Sequence, residues 1–232
     1  MRLEDTDEIR RLALFRDCGD DTFDTLIRAG FLQRFPPGVV LIHENDPADF
    51  LYIVVEGMVE MFATQAGRET TIGFIEPIGT FILAAVLKDQ VYLQSARTLE
   101  KSRVLMIPAE NVRAAMRDDT AFMNAIVTEL ATCYRSVVKD LKCQKLRTGT
   151  ERLANWLLRA DRADGASGTV ELRVGKRVLA SRLGMTPENL SRAFATLGAY
   201  GVEVDGPTIH LRDVDDLTKF AKPSPLIDDY ST

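Results

Sequence analysis

Four polar residues that lie close together in the chain are of the types that read DNA bases: Glu188, Asn189, Ser191 and Arg192. Arginine can donate two hydrogen bonds to a guanine, and glutamate can accept one from the amine of a cytosine. Thr186 is a favoured N-cap and Pro187 is a favoured first helical residue. We therefore predict that a helix begins here and exposes the four side chains in its first two turns.

Such a helix needs a second helix to support it, and the segment KRVLASRLGMTPENLSRAFATL (176–197) predicts a helix–turn–helix. Ala180 is small where the two helices would cross, and Gly184 can adopt the left-handed backbone conformation of the turn four residues later. The strands GVEV and TIHL, around the turn DGP (205–207), are predicted to pair as a wing. The inner face of the two helices is predicted to be formed by Leu179, Leu183, Met185, Leu190 and Ala193.

Charge is unevenly distributed along the chain, whose formal net charge is −5. Between Leu172 and Gly198 five basic residues accompany a single acid, Glu188, so this segment is locally positive and suited to nucleic acid. A helical pair that contacts another protein, with Arg192 merely in solvent, is the alternative. The predicted DNA contacts are Lys176, Thr186, Glu188, Asn189, Ser191 and Arg192.

The first half of the chain has a different pattern. Short runs of β-branched and aromatic residues alternate with turn sequences between Phe31 and Ile107, which predicts an antiparallel barrel or sandwich. Gly67 is predicted to lie at the tip of a hairpin. Residues 1–30 are predicted to be helical, and their buried side to be formed by Leu12, Leu14, Phe15, Phe23, Leu26 and Ile27.

A long helix is predicted from about Thr120 to Leu146, with a length of about 40 Å. Its apolar stripe has two explanations: the helix packs on its own barrel, or it forms a seam with a second copy, as in a short coiled coil. A helix of this length would extend beyond a barrel of about 80 residues, which favours the seam. The seam is predicted to be formed by Ile126, Leu130, Cys133, Val137 and Leu141.

Three parts are predicted along the chain: residues 1–118 as a sensing domain with flanking helices, 119–147 as the dimerisation helix, and 148–232 as the winged helix–turn–helix domain. The polar junction LRTGTER (146–152) is predicted to act as a hinge. The tail AKPSPLIDDYST (221–232) is expected to be loose.

Composition favours a cytoplasmic protein without catalytic activity. No apolar run approaches the roughly 18 residues of a membrane span, and the acidic N-terminus is not a secretory signal. Three well-separated cysteines predict reduced thiols. The two histidines, His43 and His210, are too few for a metal-dependent cupin, and we identify no Ser/His/Asp or paired-carboxylate motif, so an enzyme is not expected.

The order of these features resembles the cyclic-AMP receptor protein and fumarate–nitrate regulator (Crp/Fnr) superfamily over roughly residues 12 to 220. The resemblance lies in FPPGVVLIHENDPADFLYIVVEGMVEMF, the long helix and the winged helix. It implies an α+β chain with an N-terminal double-stranded β-helix (β-roll) sensor and a homodimer formed through the long helix. In activators of this type it also implies a contact between the hairpin tip TQAGRET and RNA polymerase. Glu188, Ser191 and Arg192 match the family's E-x-x-S-R pattern, which implies palindromes with half-sites like TTGAT or TTGAC.

The segment GTFILAAVLKDQVYLQSA (79–96) takes the place of the phosphate-binding cassette of members that bind cyclic nucleotides. Those members have a Gly-Glu pair where this chain has Leu83 and Ala84, and an arginine where it has Gln94. A buried cyclic phosphate would lack its charged partner, at a cost of several kcal/mol, so cyclic-nucleotide control is not expected. An iron–sulfur cluster is not expected either, because Cys18 is the one cysteine near the N-terminus and such clusters use four thiolates.

The same segment resembles that of the denitrification regulators, which respond to nitric oxide and for which haem has been proposed as cofactor. This resemblance implies an apolar effector pocket and makes haem a candidate cofactor. His43 is the one histidine of the sensor half and therefore the candidate haem ligand, although a partly exposed residue beside a turn explains it more simply. The pocket is predicted to be lined by Phe81, Leu83, Ala84, Leu87, Gln94 and Ser95.

We therefore predict a homodimeric transcription regulator that binds double-stranded DNA and responds to an effector in the roll. Two alternatives stay open. The chain could be a β-roll interaction module whose helix–turn–helix binds protein without reading DNA, or a DNA-binding regulator without any ligand.

Overall fold

The computed structural model describes residues 3–229. By the contacts within it, the chain divides into two compact units, of which the first ends at Cys133 and the second begins at Tyr134.

The first unit begins with two helices, α1 (Leu3–Arg10) and α2 (Asp20–Ala29). Arg10 closes the turn between them by donating from Nη1 to the Phe15 carbonyl at 3.1 Å and from Nη2 to the Cys18 carbonyl at 2.9 Å. The six apolar residues predicted to be buried in this region are all buried, and three of them belong to the turn rather than to a helix: Leu12, Leu14 and Phe15.

The strands that follow are β1 (Phe31–Phe35), β2 (Val40–Ile42), β3 (Phe50–Glu56), β4 (Val59–Gln65), β5 (Arg68–Ile75), β6 (Thr80–Phe81), β7 (Ser95–Thr98) and β8 (Ser102–Pro108). They pair antiparallel in two four-stranded sheets, in the orders β1-β8-β3-β6 and β2-β7-β4-β5. Successive strands therefore lie in opposite sheets, except β4 and β5, which form a hairpin within one sheet, and this order is the topology of a double-stranded β-helix. The predicted β-roll is confirmed.

The hairpin between β4 and β5 has Gly67 at its tip, as predicted, and its turn consists of two residues. Gln65 pairs with Arg68, and the residues between them, Ala66 and Gly67, have φ of 51° and 76°. Two positive φ values in succession define a turn whose twist matches that of the strands, and glycine adopts this conformation without strain.

A short helix that the sequence does not predict, α3 (Leu83–Lys88), lies between β6 and β7. Its flanking residues, Ile82 and Asp89, both have left-handed backbone conformations, with φ of 69° and 53°. The helix turns Leu83 and Val86 into the core of the roll. An apolar helix as short as this one has no sequence pattern that distinguishes it from a strand.

Two further helices complete the first unit and lead into the second, α4 (Ala109–Asp118) and α5 (Thr120–Leu146). Asp119, between them, accepts from the Phe122 N–H at 2.9 Å and from the Gly19 N–H at 2.7 Å. The hydrogen bond from Phe122 is the main reason why the pKa of Asp119 lies below its ordinary value. The predicted long helix is confirmed from its first residue to its last.

One residue of the predicted seam on α5 belongs to the core of the roll. Ile126 is 0% exposed, and Leu130 is half-buried against the same core. The prediction that Ile126 lies between two copies is therefore wrong, because this side of the helix packs on its own β-roll, as the alternative explanation has it.

The second unit continues after α5 with α6 (Gly149–Ala163), β9 (Thr169–Glu171), α7 (Lys176–Arg182), α8 (Pro187–Leu197), a 3-10 turn (Gly198–Tyr200), β10 (Val202–Asp205), β11 (Thr208–Leu211), α9 (Val214–Ala221) and α10 (Pro225–Asp228). Of the predicted junction 146–152, two residues lie between α5 and α6, namely Arg147 and Thr148. Thr148 forms a capping box with Glu151, so α6 begins at a defined residue. The strands form one antiparallel sheet in the order β10-β11-β9.

The tail is not loose over its described part, which corrects the sequence-based expectation. After α9 the chain turns through α10, where Ile227 is buried and Asp228 forms an ion pair with Arg147. This contact joins residues 81 positions apart, so no local pattern of the tail could indicate it. Residues 230–232 of the predicted tail lie outside the described residues.

Candidate nucleic-acid interface

The turn between α7 and α8 has the geometry of a helix–turn–helix. The Gly184 N–H donates to the Ser181 carbonyl at 2.9 Å, and the Met185 N–H donates to the Ala180 carbonyl at 2.8 Å. Gly184 has φ of 64°, and a Cβ there would lie 2.6 Å from Oε1 of Gln144. The left-handed backbone conformation therefore favours glycine at this position, and any larger residue would also have to displace the Gln144 side chain.

The two helices cross over an apolar interior, as their sequence predicts. Ala180 is 0% exposed at the crossing. The predicted inner residues are part of the core of the second unit, fully buried for Leu179, Leu183, Leu190 and Ala193 and partly buried for Met185. This core fixes which face of α8 points outward.

The N-terminus of α8 has the predicted cap. The Thr186 hydroxyl accepts from the Asn189 N–H at 3.2 Å, and Pro187 is the first helical residue. Glu188 follows, fully exposed in the first turn, where hydrogen bonding to its own backbone N–H, and then to the Thr186 hydroxyl, lowers its pKa. At neutral pH this side chain is an ionised hydrogen-bond acceptor at the start of the helix.

The outward face of α8 presents the remaining predicted readers. Asn189, Ser191 and Arg192 are all exposed. The Ser191 hydroxyl donates to the Pro187 carbonyl at 3.1 Å, and Arg192 donates to the amide oxygen of Asn189. Since a guanidinium has five N–H donors, Arg192 retains donors for a base while Asn189 orients it along the helix.

Lys176 lies at the first position of α7 and is exposed. Its Nζ is 5.9 Å from the centroid of the Phe194 ring. A groove of about 380 Å³ lies beside it, between α8 and β10, and its walls include Leu190, Val202 and Val204. This groove is not predicted from the sequence, because its walls come from segments that share no local pattern.

The predicted wing is a paired hairpin. Asp205 pairs with Thr208 across a turn in which Gly206 has φ of 60°. β9 adds a third strand, and the Thr208 hydroxyl donates to Glu171 at 2.6 Å. His210 lies half-buried on β11.

The predicted effector residues do not lie around one open pocket. Phe81 stacks on Tyr52 with 5.2 Å between ring centroids, and Leu83 packs in the same core. Ala84 is exposed, whereas Leu87 and Gln94 are half-buried. The Ser95 hydroxyl accepts from the Glu44 N–H at 2.9 Å. A shallow depression of about 530 Å³ at the rim of the roll is lined by other residues, among them Pro47, Asp49, Val91 and Leu93.

The arginine nearest to the cassette is already bonded to two acidic side chains. Arg97, the nearest arginine along the cassette, lies 2.8 Å from Glu60 through Nε and 2.8 Å from Glu69 through Nη2. Its guanidinium also covers the Phe62 ring at 4.4 Å. The hydrogen bond with Glu69 is the main reason why the pKa of Arg97 is raised. The residues of this roll therefore do not fit a cyclic nucleotide.

The histidine and cysteine side chains of the chain are also poorly suited to bind a haem or a metal ion. His43 is exposed at the end of β2. Burial raises the pKa of each cysteine thiol, which disfavours the thiolate form that ligates a metal. Among residues 3–229, no group of three or more histidine, cysteine or acidic side chains is arranged to hold a metal ion.

Within the same residues, every helix is too short or too polar to cross a lipid bilayer.

Comparisons with known proteins match both units. Residues 32–119 match a cyclic nucleotide-binding domain, and residues 151–220 match a Crp-like helix-turn-helix domain. The stretch between the two matches contains α5.

Relatives align over most of this chain and most of their own length. The Cyclic AMP receptor protein of Thermus thermophilus is 25% identical over 90% of this chain and 96% of its own length. The Transcriptional activatory protein AadR of Rhodopseudomonas palustris is 26% identical over 82% of this chain and 80% of its own length. A putative cAMP-binding regulatory protein from Silicibacter pomeroyi superposes with a TM-score of 0.62 at 27% identity, covering 94% of this chain and 100% of that one. FixK2 from Bradyrhizobium japonicum superposes with a TM-score of 0.73 at 22% identity, covering 84% and 98%, and supports the fold.

Proposed function

The chain belongs to the Crp/Fnr family of DNA-binding transcription regulators, and from this premise we propose that it acts as a homodimer on palindromic DNA with half-sites like TTGAT or TTGAC. The observation that carries the proposal is the outward face of α8. It joins an ionised acceptor, Glu188, to a multiple donor, Arg192, within the first two turns of a capped helix. A helix in the major groove reads bases with residues at its N-terminal end.

Each exposed residue of this surface has a role in the proposal. Glu188, Ser191 and Arg192 contact base edges, and Asn189 orients Arg192 through its amide oxygen. Lys176 and Thr186, at the starts of their helices, contact phosphates. Phosphate contacts hold the protein in register but carry no sequence information, so the base preference is assigned to the first three.

The dimer is proposed to form along an apolar stripe of α5 that differs from the seam predicted at Ile126. Its members recur at steps of four and three residues, as in a heptad repeat. Tyr134, Val137 and Leu141 are 70%, 64% and 56% exposed, which is unusual for such residues unless a partner covers them. Leu130, Val137 and Leu141 are shared with the predicted seam, and Cys133 flanks the stripe. The stripe consists of Met123, Val127, Leu130, Tyr134, Val137 and Leu141.

A second copy of the chain is the partner that fits this stripe. Two identical helices bury a heptad seam symmetrically, and a two-fold dimer presents two recognition helices to the two halves of a palindrome. The family match and the stripe therefore support the same assembly.

The effector, if the roll receives one, is proposed to be uncharged and apolar-faced. Leu83 and Phe81 belong to the core, and Arg97, next to the cassette, is neutralised by two carboxylates, so the buried part of the cassette has no cation to pair with an anion. Nitric oxide bound through haem, which the resemblance to denitrification regulators implies, obtains no support from the exposed His43. Titration of the purified protein with haem, followed by absorption spectroscopy, tests that route, and a Soret band that shifts with nitric oxide would establish it.

Replacement of Arg192 by alanine tests the recognition surface. Loss of a bidentate contact to a base costs about 1–3 kcal/mol of discrimination per half-site. We expect Arg192→Ala to bind a TTGAT palindrome no better than a scrambled duplex in a gel-shift titration, while its oligomeric state is unchanged. The matched control is Arg162→Ala, which removes an exposed arginine from α6. If Arg192→Ala still discriminated the palindrome from the scrambled duplex, α8 would not be the base-reading element.

A further inference from the structure

The described end of the chain is bound to α5 and to the junction after it. We name residues 222–229 the C-terminal strap. Lys139, on α5, is 5% exposed and donates to the backbone carbonyl of Asp229. Lys142, one turn further along, donates to the Leu226 carbonyl at 3.0 Å. Both contacts are made to the backbone, so they depend on the path of the strap more than on its side chains.

The centre of this contact is a buried ion pair. Arg147, the first residue after α5, is bonded to the carboxylate of Asp228, and their side chains are 7% and 12% exposed. Arg147 also donates to the Ala221 carbonyl at 2.8 Å and to the Lys222 carbonyl at 3.3 Å. The same carboxylate accepts from the Ser224 N–H at 2.7 Å. Together these acceptors hold the guanidinium of Arg147 in one position.

The backbone of Arg147 is connected in turn to the helix–turn–helix. Its carbonyl accepts from Nη1 of Arg152 at 2.7 Å. Nε of Arg152 donates to the Leu183 carbonyl at 2.7 Å, and Nη2 donates to the Gly184 carbonyl at 3.3 Å. The turn before the recognition helix is thus two side chains away from the strap.

Further residues near Arg147 also contact the turn between α7 and α8. Asp140, on α5, accepts two hydrogen bonds from Arg182 at 2.9 and 3.0 Å. Gly149, at the start of α6, has no side chain, and a Cβ there would lie 2.7 Å from the sulfur of Met185. Residues 140–152 therefore form the surface that contacts the turn, which we call the seat of the turn. The strap is bonded to Arg147, which belongs to this surface.

We propose that Arg147 and Asp228 are positioning residues for DNA recognition: by holding Arg147, the C-terminal strap sets the orientation of α8 relative to the C-terminal end of α5. In the dimer this orientation determines the spacing and angle of the two recognition helices. The consequence for binding rests on the proposed function, whereas the effect on the turn does not. None of the strap residues contacts a base in this proposal.

Replacement of Asp228 by asparagine tests the proposal with a minimal change of shape. The matched control is Asp215→Asn, which removes an exposed acid from α9 in the same unit. In Asp228→Asn we expect the amides of Gly184 and Met185 to exchange with deuterium about tenfold faster, because the seat of the turn is loosened. We expect Asp215→Asn to exchange like the unmodified chain.

DNA binding by the same variants tests positioning separately from readout. A change in coupling of this kind alters affinity by roughly 2- to 30-fold. We expect Asp228→Asn to bind a TTGAT palindrome about tenfold more weakly, and to discriminate less between palindromes whose centres differ by one base pair. Its preference for TTGAT over a scrambled half-site is expected to persist, because the readers on α8 are unchanged.

The outcomes separate the two proposals. If the unmodified chain shows no preference for the palindrome, the proposed function fails, and the exchange rates still decide whether the strap orders the turn. If Asp228→Asn matches Asp215→Asn in both exchange and spacing preference, the strap has no positioning role.

A second variant covers the case in which Asp228→Asn folds poorly. Arg147→Lys keeps the charge but loses the planar set of donors. We expect it to shift spacing preference in the same direction, and the double variant to be no worse than the more affected single one, since the two residues act as a unit. Additive effects would overturn the proposal.

Discussion

Arg97 in the first unit directly follows the segment predicted to hold an effector, and Arg192 in the second lies on the predicted recognition helix, but their surroundings differ. Arg97 is bonded to two carboxylates, and one of these, Glu60, is 1% exposed. Arg192 is exposed and bonded to the neutral amide of Asn189. The charge of the first is neutralised within the fold, and the charge of the second remains available to a partner.

The same difference separates the two segments as a whole. In the cassette of the first unit, the side chains of Phe81, Leu83 and Val86 complete a core. On the recognition helix, the cap and the glycine turn hold polar side chains in solvent. A cation that already compensates a buried acid cannot pair with an anionic ligand unless the acid is left alone, at a cost of several kcal/mol. Among the two segments, anion recognition therefore belongs to the recognition helix.

The largest effect is expected from breaking the dimer, which removes the second recognition helix from the palindrome. Val137→Glu places a charge in the middle of the proposed stripe, at a position that is 64% exposed in one chain. We expect a monomer in analytical ultracentrifugation, with affinity for the palindrome reduced by roughly 10²- to 10⁴-fold through loss of bivalency.

The control for this variant is Thr132→Glu, at an exposed position on α5 away from the stripe. It is expected to remain dimeric. A Val137→Glu protein that sediments as a dimer would show that the stripe is not the seam.

Arg97→Ala is expected to affect stability and to leave DNA preference unchanged, whereas Arg192→Ala should do the reverse. Removal of Arg97 leaves Glu60 buried without its cation, so the free energy of unfolding in urea should fall by about 3 kcal/mol. Arg34→Ala, which removes an exposed arginine from β1, should change it by less than about 0.5 kcal/mol. Loss of half-site preference in a folded Arg97→Ala protein would contradict the division between the two arginines.

Thr186→Ala sharpens the description of the recognition helix by removing its cap, and its effect is measured as stability without DNA because the same residue is a proposed phosphate contact. Loss of the hydrogen bond to the Asn189 N–H should destabilise the second unit by about 1 kcal/mol, measured by urea denaturation. Thr196→Ala, in the last turn of the same helix, should be neutral or slightly stabilising because alanine has the higher helix propensity. Equal losses in the two variants would mean that the cap does not define the start of the helix.

The smallest expected effect is that of cyclic nucleotides on the first unit. Cyclic AMP and cyclic GMP should leave the thermal unfolding midpoint unchanged, because Arg97 is occupied and Gln94 carries no charge. As a positive control, a palindrome at about 100 times its Kd should stabilise the folded protein by about 2.7 kcal/mol. A rise in the midpoint with cyclic AMP would show that the roll accepts an anion after all.

The parts of the fold that the sequence predicts are those with local signals. Thr186, Pro187 and Gly184 lie within four residues of one another and define the turn and the start of α8. The extent of α5 follows from apolar residues that recur without interruption at steps of three and four. The β-roll follows from short strand patterns between turns, and its two sheets confirm the predicted class.

The parts that the sequence does not predict depend on distant contacts or on unusual backbone conformations. α3 is flanked by Ile82 and Asp89, and left-handed conformations at these residues have no sequence signature. α5 has apolar residues on two sides, and periodicity alone does not show which side packs on the roll, so the sequence predicts a seam residue at Ile126 where the structure has a core residue. The strap depends on the pair Arg147 and Asp228, 81 positions apart.

The apolar stripe of α5 has a consequence for how two copies can meet. Its steps of four and three residues average 3.5, whereas a straight helix has 3.6 residues per turn, so the stripe drifts by roughly 20° per heptad. Between Met123 and Leu141 the drift amounts to about 50°. Two copies can keep the whole stripe in contact only by winding around each other with a left-handed twist. The extent of that winding sets the rotation between the C-terminal ends of the two α5 helices, and so gives the dimer a torsional coordinate.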